Sequence, residues 1–153
     1  MNLKPIALTR IAVIAALYVI ITYFLLPISF GAIQLRVAEA FTVLPIIYPE
    51  AIGGLFLGVL LANALLGGLG LVDIVVGSLT TLAAAIITYR FRHNIIAYLS
   101  PVVLNAFIIS IYLHLLAGLP YWFTVLSIGS SQAIVVFGLG FPLIWYLRRY
   151  KEK

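Results

Sequence analysis

Cysteine is missing from all 153 positions, which excludes disulfide frameworks, thiolate metal sites and cysteine nucleophiles. Charge is nearly as scarce. Asp, Glu, Lys and Arg together make up 8% of the chain, and only four residues are acidic. Ordinary soluble domains carry about 25% charged residues. No HExxH, GxSxG or Walker loop occurs, and no spacing suits a metal. Nothing in the chain therefore encodes ATP hydrolysis. Uphill transport by this protein would draw on an ion gradient or a partner. Internal repeats and low-complexity segments are also lacking.

What is present is apolar. Hydrophobic residues make up 65% of the sequence, and the mean hydropathy is +1.24. A soluble domain of this size has no interior large enough to hide that surface. The apolar runs are long and do not alternate, so they read as spanning helices and not as barrel strands. In lipid each backbone N–H and C=O must be paired internally, and a helix does this within one segment. Stretch 6–26 lacks a small-residue cleavage site and runs into Pro27, with more spans after it. It reads as a membrane helix and not as a secretory leader. The net charge of +5 sits at the ends of apolar runs. That pattern suits headgroup anchoring and orientation, not nucleic acid.

The expected architecture is one all-α membrane domain over residues 1–153, with short tails and six helices. Their expected ranges are about 5–26, 36–48, 50–66, 71–89, 95–117 and 121–146. Pro27 to Gly31 and Gly67 to Gly70 are expected loops. The second helix is short for a hydrocarbon core that needs about 20 residues, and is expected to be tilted or partly buried. A five-span arrangement would fuse 36–66 into one broken helix. Charge parity decides for six. With both termini inside, Lys4, Arg10, Arg90, Arg92, Arg148, Arg149, Lys151 and Lys153 share the cytoplasmic side, and only Arg36 lies outside.

Ionisable and polar groups inside spans are costly and read as functional candidates. Arg36, Glu39, Asn63, Asp73 and His114 fall in the outer half of the six-span arrangement. Asn105, Ser131 and Gln132 fall near its middle. A polar outer half over an apolar inner half suits a binding cavity open to the outside. A through-pore would carry polar groups along its whole length. Each candidate also has a plain structural reading. Arg36 and Glu39, three apart, could pair on one helix face. Asp73 and Glu50 could be first-turn charges favoured by the helix dipole. Asn63, Asn105 and Gln132 could bond neighbouring helices. His114 suits the interface, His93 a solvated basic loop, and the tyrosines and tryptophans the aromatic belts.

Small residues mark further faces. Ala12 and Ala16 share one face of the first helix, where they allow another helix to approach closely, inside or outside the bundle. Gly54, Gly58 and Ala62, and Gly77, Thr81, Ala84 and Ala85, read as internal packing faces.

Stretch 34–45 (QLRVAEAFTVLP) resembles the signature of the QueT family, as do YPEAIG at 48–53, Ala62-Asn63 and GGLGLVD at 67–73. The resemblance covers most of the chain and is strongest from Gln34 to Ala85. It implies a substrate-binding S component of an energy-coupling factor (ECF) transporter in the prokaryotic cytoplasmic membrane. It implies six helices and a pocket near the outer face, closed by the helix 1–2 and helix 3–4 loops. It also implies docking of the Ala12/Ala16 face on a transmembrane coupling subunit driven by two cytoplasmic ATPases. The implied substrate is a queuosine precursor, a 7-deazaguanine such as queuine or the 7-aminomethyl compound. No cofactor or metal is implied. Such a ring presents an N–H and an amine side by side, which a carboxylate accepts together. The expected binding residues are Arg36, Glu39, Asn63, Asp73, Asn105 and Gln132. Three other functions are compatible with the residues: an S component for another vitamin-like substrate, a self-sufficient secondary transporter, and an intramembrane acid–base enzyme using Glu39, Asp73 or His114.

Overall fold

A computed structural model describes residues 5–29, 35–67 and 70–151. These residues form seven helical stretches: α1 (Pro5–Phe24), α2 (Leu26–Ser29), α3 (Val37–Ile46), α4 (Ala51–Leu66), α5 (Asp73–Arg90), α6 (Ile96–Ala117) and α7 (Tyr121–Lys151). No strand occurs among the described residues. Four helices, α1, α5, α6 and α7, are long and apolar enough to cross a membrane. The other two apolar helices, α3 and α4, are shorter. At 1.5 Å per residue α4 reaches about 24 Å, against a hydrocarbon core of about 30 Å.

Several boundaries differ from expectation for physical reasons. The first helix stops at Phe24, and Pro27 lies in the one-turn α2 instead of a loop. A proline early in a helix costs nothing there, because the first N–H groups have no partner in any case. The last helix runs on to Lys151, beyond Tyr146. Arg148, Arg149 and Lys151 in its final turn favour the negative end of the helix dipole. Residues 30–34, which include Gln34 at the start of the stretch 34–45, and Gly68 and Leu69 lie outside the described residues.

The short second helix takes a form that periodicity did not reveal. Stretch α3 is a 3-10 helix of ten residues, with Pro45 inside it. A 3-10 helix rises about 2.0 Å per residue, so ten residues reach about 20 Å where an α-helix would reach about 15 Å. The stretched form carries a short segment further through the bundle. All of α3 from Ala38 to Ile46 is buried except Phe41, which is half-buried. It is therefore the central element, wrapped by the others, and the expected partial burial understates its position.

Glycines set the closest approaches. Helix α1 packs most extensively on α4. A Cβ on Gly54 would come within 2.9 Å of Ile14, and one on Gly58 within 2.9 Å of the Tyr18 Cβ and 3.2 Å of the Ala15 Cα. A Cβ on Gly140 of α7 would lie 3.1 Å from the Ala40 carbonyl oxygen of α3. Lipid tails are as apolar as leucine, so close van der Waals contact carries much of the helix association here. The outer surface is lined by exposed Leu, Ile, Phe and Trp side chains. Helix α1 is the least covered span, with 22% of its apolar window buried against 44–50% for α5, α6 and α7. Ala12 and Ala16 are both exposed, on the side of α1 away from α4.

The bundle is polar at two levels. One end gathers basic and aromatic side chains. Arg10 pairs with Glu50 at 3.3 Å and lies 4.7 Å over the Tyr48 ring, and Lys151 lies 5.7 Å from the same ring. The second polar region is buried among the helices nearer the opposite end.

Gly58→Leu is expected to destabilise the bundle by about 1–3 kcal/mol, the usual cost of overpacking. Gly138→Ala meets no atom within 4 Å and is expected to be neutral or slightly stabilising. Thermal unfolding of the detergent-solubilised variants checks both.

Candidate functional site

Glu39 is the only acidic residue of α3. Its side chain is 3% exposed, too little for water to solvate a carboxylate, so its partners must come from the protein. The Tyr18 hydroxyl of α1 donates a hydrogen bond to Oε1. Oε2 accepts from Asn105 Nδ2 of α6 at 3.3 Å and from Gln132 Nε2 of α7 at 3.0 Å. One carboxylate thus draws donors from three other helices. A carboxylate offers about four acceptor positions, and these bonds use three of them.

A second set of bonds lies beside the first. Arg36 donates from Nη1 to Asn63 Oδ1 at 3.2 Å and from Nε to the Ser29 carbonyl at 3.3 Å. Asn63 Nδ2 donates in turn to the backbone carbonyl of Asp73 at 2.9 Å. The Tyr112 hydroxyl donates to Asp73 Oδ1 at 2.7 Å. These bonds join α4, α5 and α6 and the stretch ahead of α3. Gly77 makes room for Asn63, since a Cβ there would lie 2.6 Å from Asn63 Nδ2.

Between the two sets lies a small cavity lined by Arg36, Glu39, Thr81, Asn105 and Gln132, with Gly77, Ile109 and Ile128 completing its wall. Its volume is about 20 Å³. That is room for about one water, whereas pockets for small ligands usually begin near 300 Å³. The structure is therefore closed around its polar centre. Larger concavities occur elsewhere, at the α1 surface and at the basic end, and none of them reaches Glu39.

The helices are locally distorted where they meet this centre. Asp73–Gly77, Asn105–Ile109 and Val136–Gly140 are each one turn of π-helix. Two begin at a polar candidate, and the third follows Gln132 by one turn. Such turns shift the register of a helix by one residue and often occur at functional positions.

All six binding candidates are thus in one region, in two ranks. Arg36, Glu39, Asn105 and Gln132 line the cavity. Asn63 and Asp73 are buried behind it and bear on it through Arg36 and Gly77. His114 is exposed, with Nδ1 2.7 Å from the Leu119 carbonyl oxygen, and takes no part. Ser131 is buried and donates to the Ile128 carbonyl at 3.1 Å, outside the cavity lining. Glu50 immediately precedes the first turn of α4 instead of lying within it, and pairs with Arg10. Tyr18 and Tyr112, read as belt residues with the other tyrosines, are buried donors to the two carboxylates. Their signal was position, because both lie within their spans and not at a membrane edge.

The chain matches the family model described as QueT transporter over residues 8–149, nearly its whole length. No curated protein and no solved structure matched in the corresponding searches. The chain belongs to the QueT transporter family. That is a family of transporter components and not of enzymes, so the intramembrane acid–base reading of Glu39, Asp73 and His114 is set aside. With its long apolar helices, the chain is a multi-pass membrane protein.

Gly77→Ala is expected to push Asn63 off the Asp73 carbonyl and to lower stability by about 1–3 kcal/mol. Tyr18→Phe removes one donor from a buried carboxylate, at an expected cost of about 1–3 kcal/mol. Unfolding midpoints of the two variants against the parent protein test these values.

Proposed function

We propose that this QueT protein is the substrate-binding S component of an ATP-driven ECF importer and takes up a queuosine precursor, a 7-deazaguanine such as queuine or the 7-aminomethyl compound. In this reading α1, α3, α4, α5, α6 and α7 are the six membrane helices, and both termini are cytoplasmic. The positive-inside rule supports that orientation, since Arg10, Arg92, Arg148 and Lys151 share one end. The polar centre then lies toward the outer face of the cytoplasmic membrane.

The observation that carries the substrate reading is Glu39, a buried carboxylate facing a cavity between two primary amides. A deazaguanine offers its ring N–H and exocyclic amine to a carboxylate as a bidentate, charge-assisted pair. Asn105 and Gln132 can each donate and accept, so they suit the ring's carbonyl and remaining edge. Entry of the ring requires both amides to swing away from Oε2 and the cavity to open. Tyr18 on Oε1 keeps the carboxylate aimed during that exchange.

The partner reading rests on Ala12 and Ala16. Their small side chains face outward from the least covered helix, where a coupling subunit can approach the α1 backbone closely. Two ATPases bound to that subunit supply the energy, since this chain has no nucleotide motif.

Purified protein is expected to bind deazaguanines and not riboflavin or thiamine, as read by isothermal titration. Glu39→Gln should weaken binding by about 10- to 150-fold, the worth of a hydrogen bond to a charged group. Asp73→Asn, behind the cavity, should cost less. Tight binding of riboflavin or thiamine with no response to deazaguanines would move the chain to another S-component substrate. Uptake that persists without the ATPases would favour a self-sufficient secondary transporter.

Leu at both Ala12 and Ala16 is expected to abolish co-purification with the coupling subunit while leaving deazaguanine affinity within about twofold, since neither side chain reaches the cavity. A complex that survives this change would exclude the face as the docking site.

A further inference from the structure

At the basic end of the bundle a concave basin of about 560 Å³ opens between the turn after α5 and the last turns of α7. Arg92, Arg148 and Lys151 bring it three basic side chains, and His93 adds a ring nitrogen. Ile46 and Ile47, where α3 ends, form an apolar floor. Two of the cations are held by aromatic faces. The Arg92 guanidinium lies 4.8 Å over the Tyr89 ring, and the Lys151 ammonium 5.7 Å from the Tyr48 ring.

No carboxylate among the described residues lines this basin. The chain has four acidic residues. Glu39 and Asp73 belong to the buried polar centre, and Glu50 is paired with Arg10. Glu152 lies outside the described residues. The positive-inside rule accounts for basic residues at this end of the protein. It does not require residues about 56 positions apart to converge on one concavity with an apolar floor. Guanidinium groups present planar donors that match phosphate oxygens, and basic pockets between membrane helices are suited to anionic headgroups.

We propose that the basin binds the phosphate of an anionic phospholipid headgroup from the adjoining leaflet. The arginines hold the phosphate, and the isoleucine floor takes the glycerol and upper acyl carbons. Free phosphate shares the first part of this chemistry but not the second.

The test uses the full chain, delipidated in neutral detergent, with native mass spectrometry and unfolding midpoints as readouts. Phosphatidylglycerol, phosphatidylcholine and inorganic phosphate are titrated separately. Phosphatidylglycerol is expected to bind at least about tenfold more tightly than phosphatidylcholine and to raise the midpoint. Arg92→Gln and Arg148→Gln should each weaken that binding severalfold without changing the lipid-free midpoint. Arg149→Gln is the control, because Arg149 lies over Trp145 outside the basin. Equal loss in the control would mean diffuse surface attraction and overturn the site. Equal binding of the two lipids would overturn it as well. Inorganic phosphate matching phosphatidylglycerol at equal concentration would overturn the lipid source and leave a free-phosphate site. None of these readouts involves the deazaguanine, so they stand or fall apart from the proposed transport substrate.

Discussion

The structure depends on satisfying one buried carboxyl group inside a bundle surrounded by lipid. Burying an unpaired carboxylate costs several kcal/mol, more than most single contacts can return. Glu39 avoids that cost only because Tyr18, Asn105 and Gln132 reach it from α1, α6 and α7. Each donor has a short reach, so each fixes the height and rotation of its helix relative to α3. The polar centre is therefore a register device as well as a candidate binding site. Beside these donors, Arg36 joins α4 through Asn63, and Asn63 joins α5.

Glycine makes that convergence possible. Tyr18 reaches Glu39 because α1 lies against Gly54 and Gly58, where any larger residue would hold it off. Asn63 reaches the Asp73 carbonyl because Gly77 has no side chain. Gly140 lets α7 press on the Ala40 carbonyl, one residue beyond Glu39. In water such contacts would be supported by the hydrophobic effect. In lipid they rest on packing and on the hydrogen bonds they permit, so the glycines and the polar centre support each other.

Much of this was legible in the residues themselves, because charge and amide groups in an apolar chain are costly enough to stand out. Arg36, Glu39, Asn63, Asp73, Asn105 and Gln132 were found in that way and do share one region. The tyrosines were not, since their usual place at the membrane edge hides a Tyr18 or Tyr112 that turns inward. The 3-10 form of α3 was illegible for a different reason. Its apolar residues are buried on nearly every side, so no periodic face exists to distinguish 3.0 from 3.6 residues per turn. The π turns left no trace for a related reason: their exposed residues, such as Val75, Phe107 and Leu139, are as apolar as their buried ones. Spacing identified the Ala12/Ala16 face but not its direction, because close packing inside and docking outside require the same small residues.

Helix α1 has both functions in the proposed mechanism. Its inner face supplies Tyr18 to the carboxylate, and its outer face presents Ala12 and Ala16 less than two turns away. A rigid helix cannot tilt at one of these faces without moving the other. Opening the cavity to admit a flat ring frees Oε2 from the two amides while Tyr18 stays on Oε1. Of the three helices that bond Glu39 in the closed state, α1 keeps its bond, and the ring takes the place of the other two. That gives the docking face a physical means of differing between empty and loaded protein. The means requires no long-range pathway, only a stiff helix and a carboxylate that must remain paired.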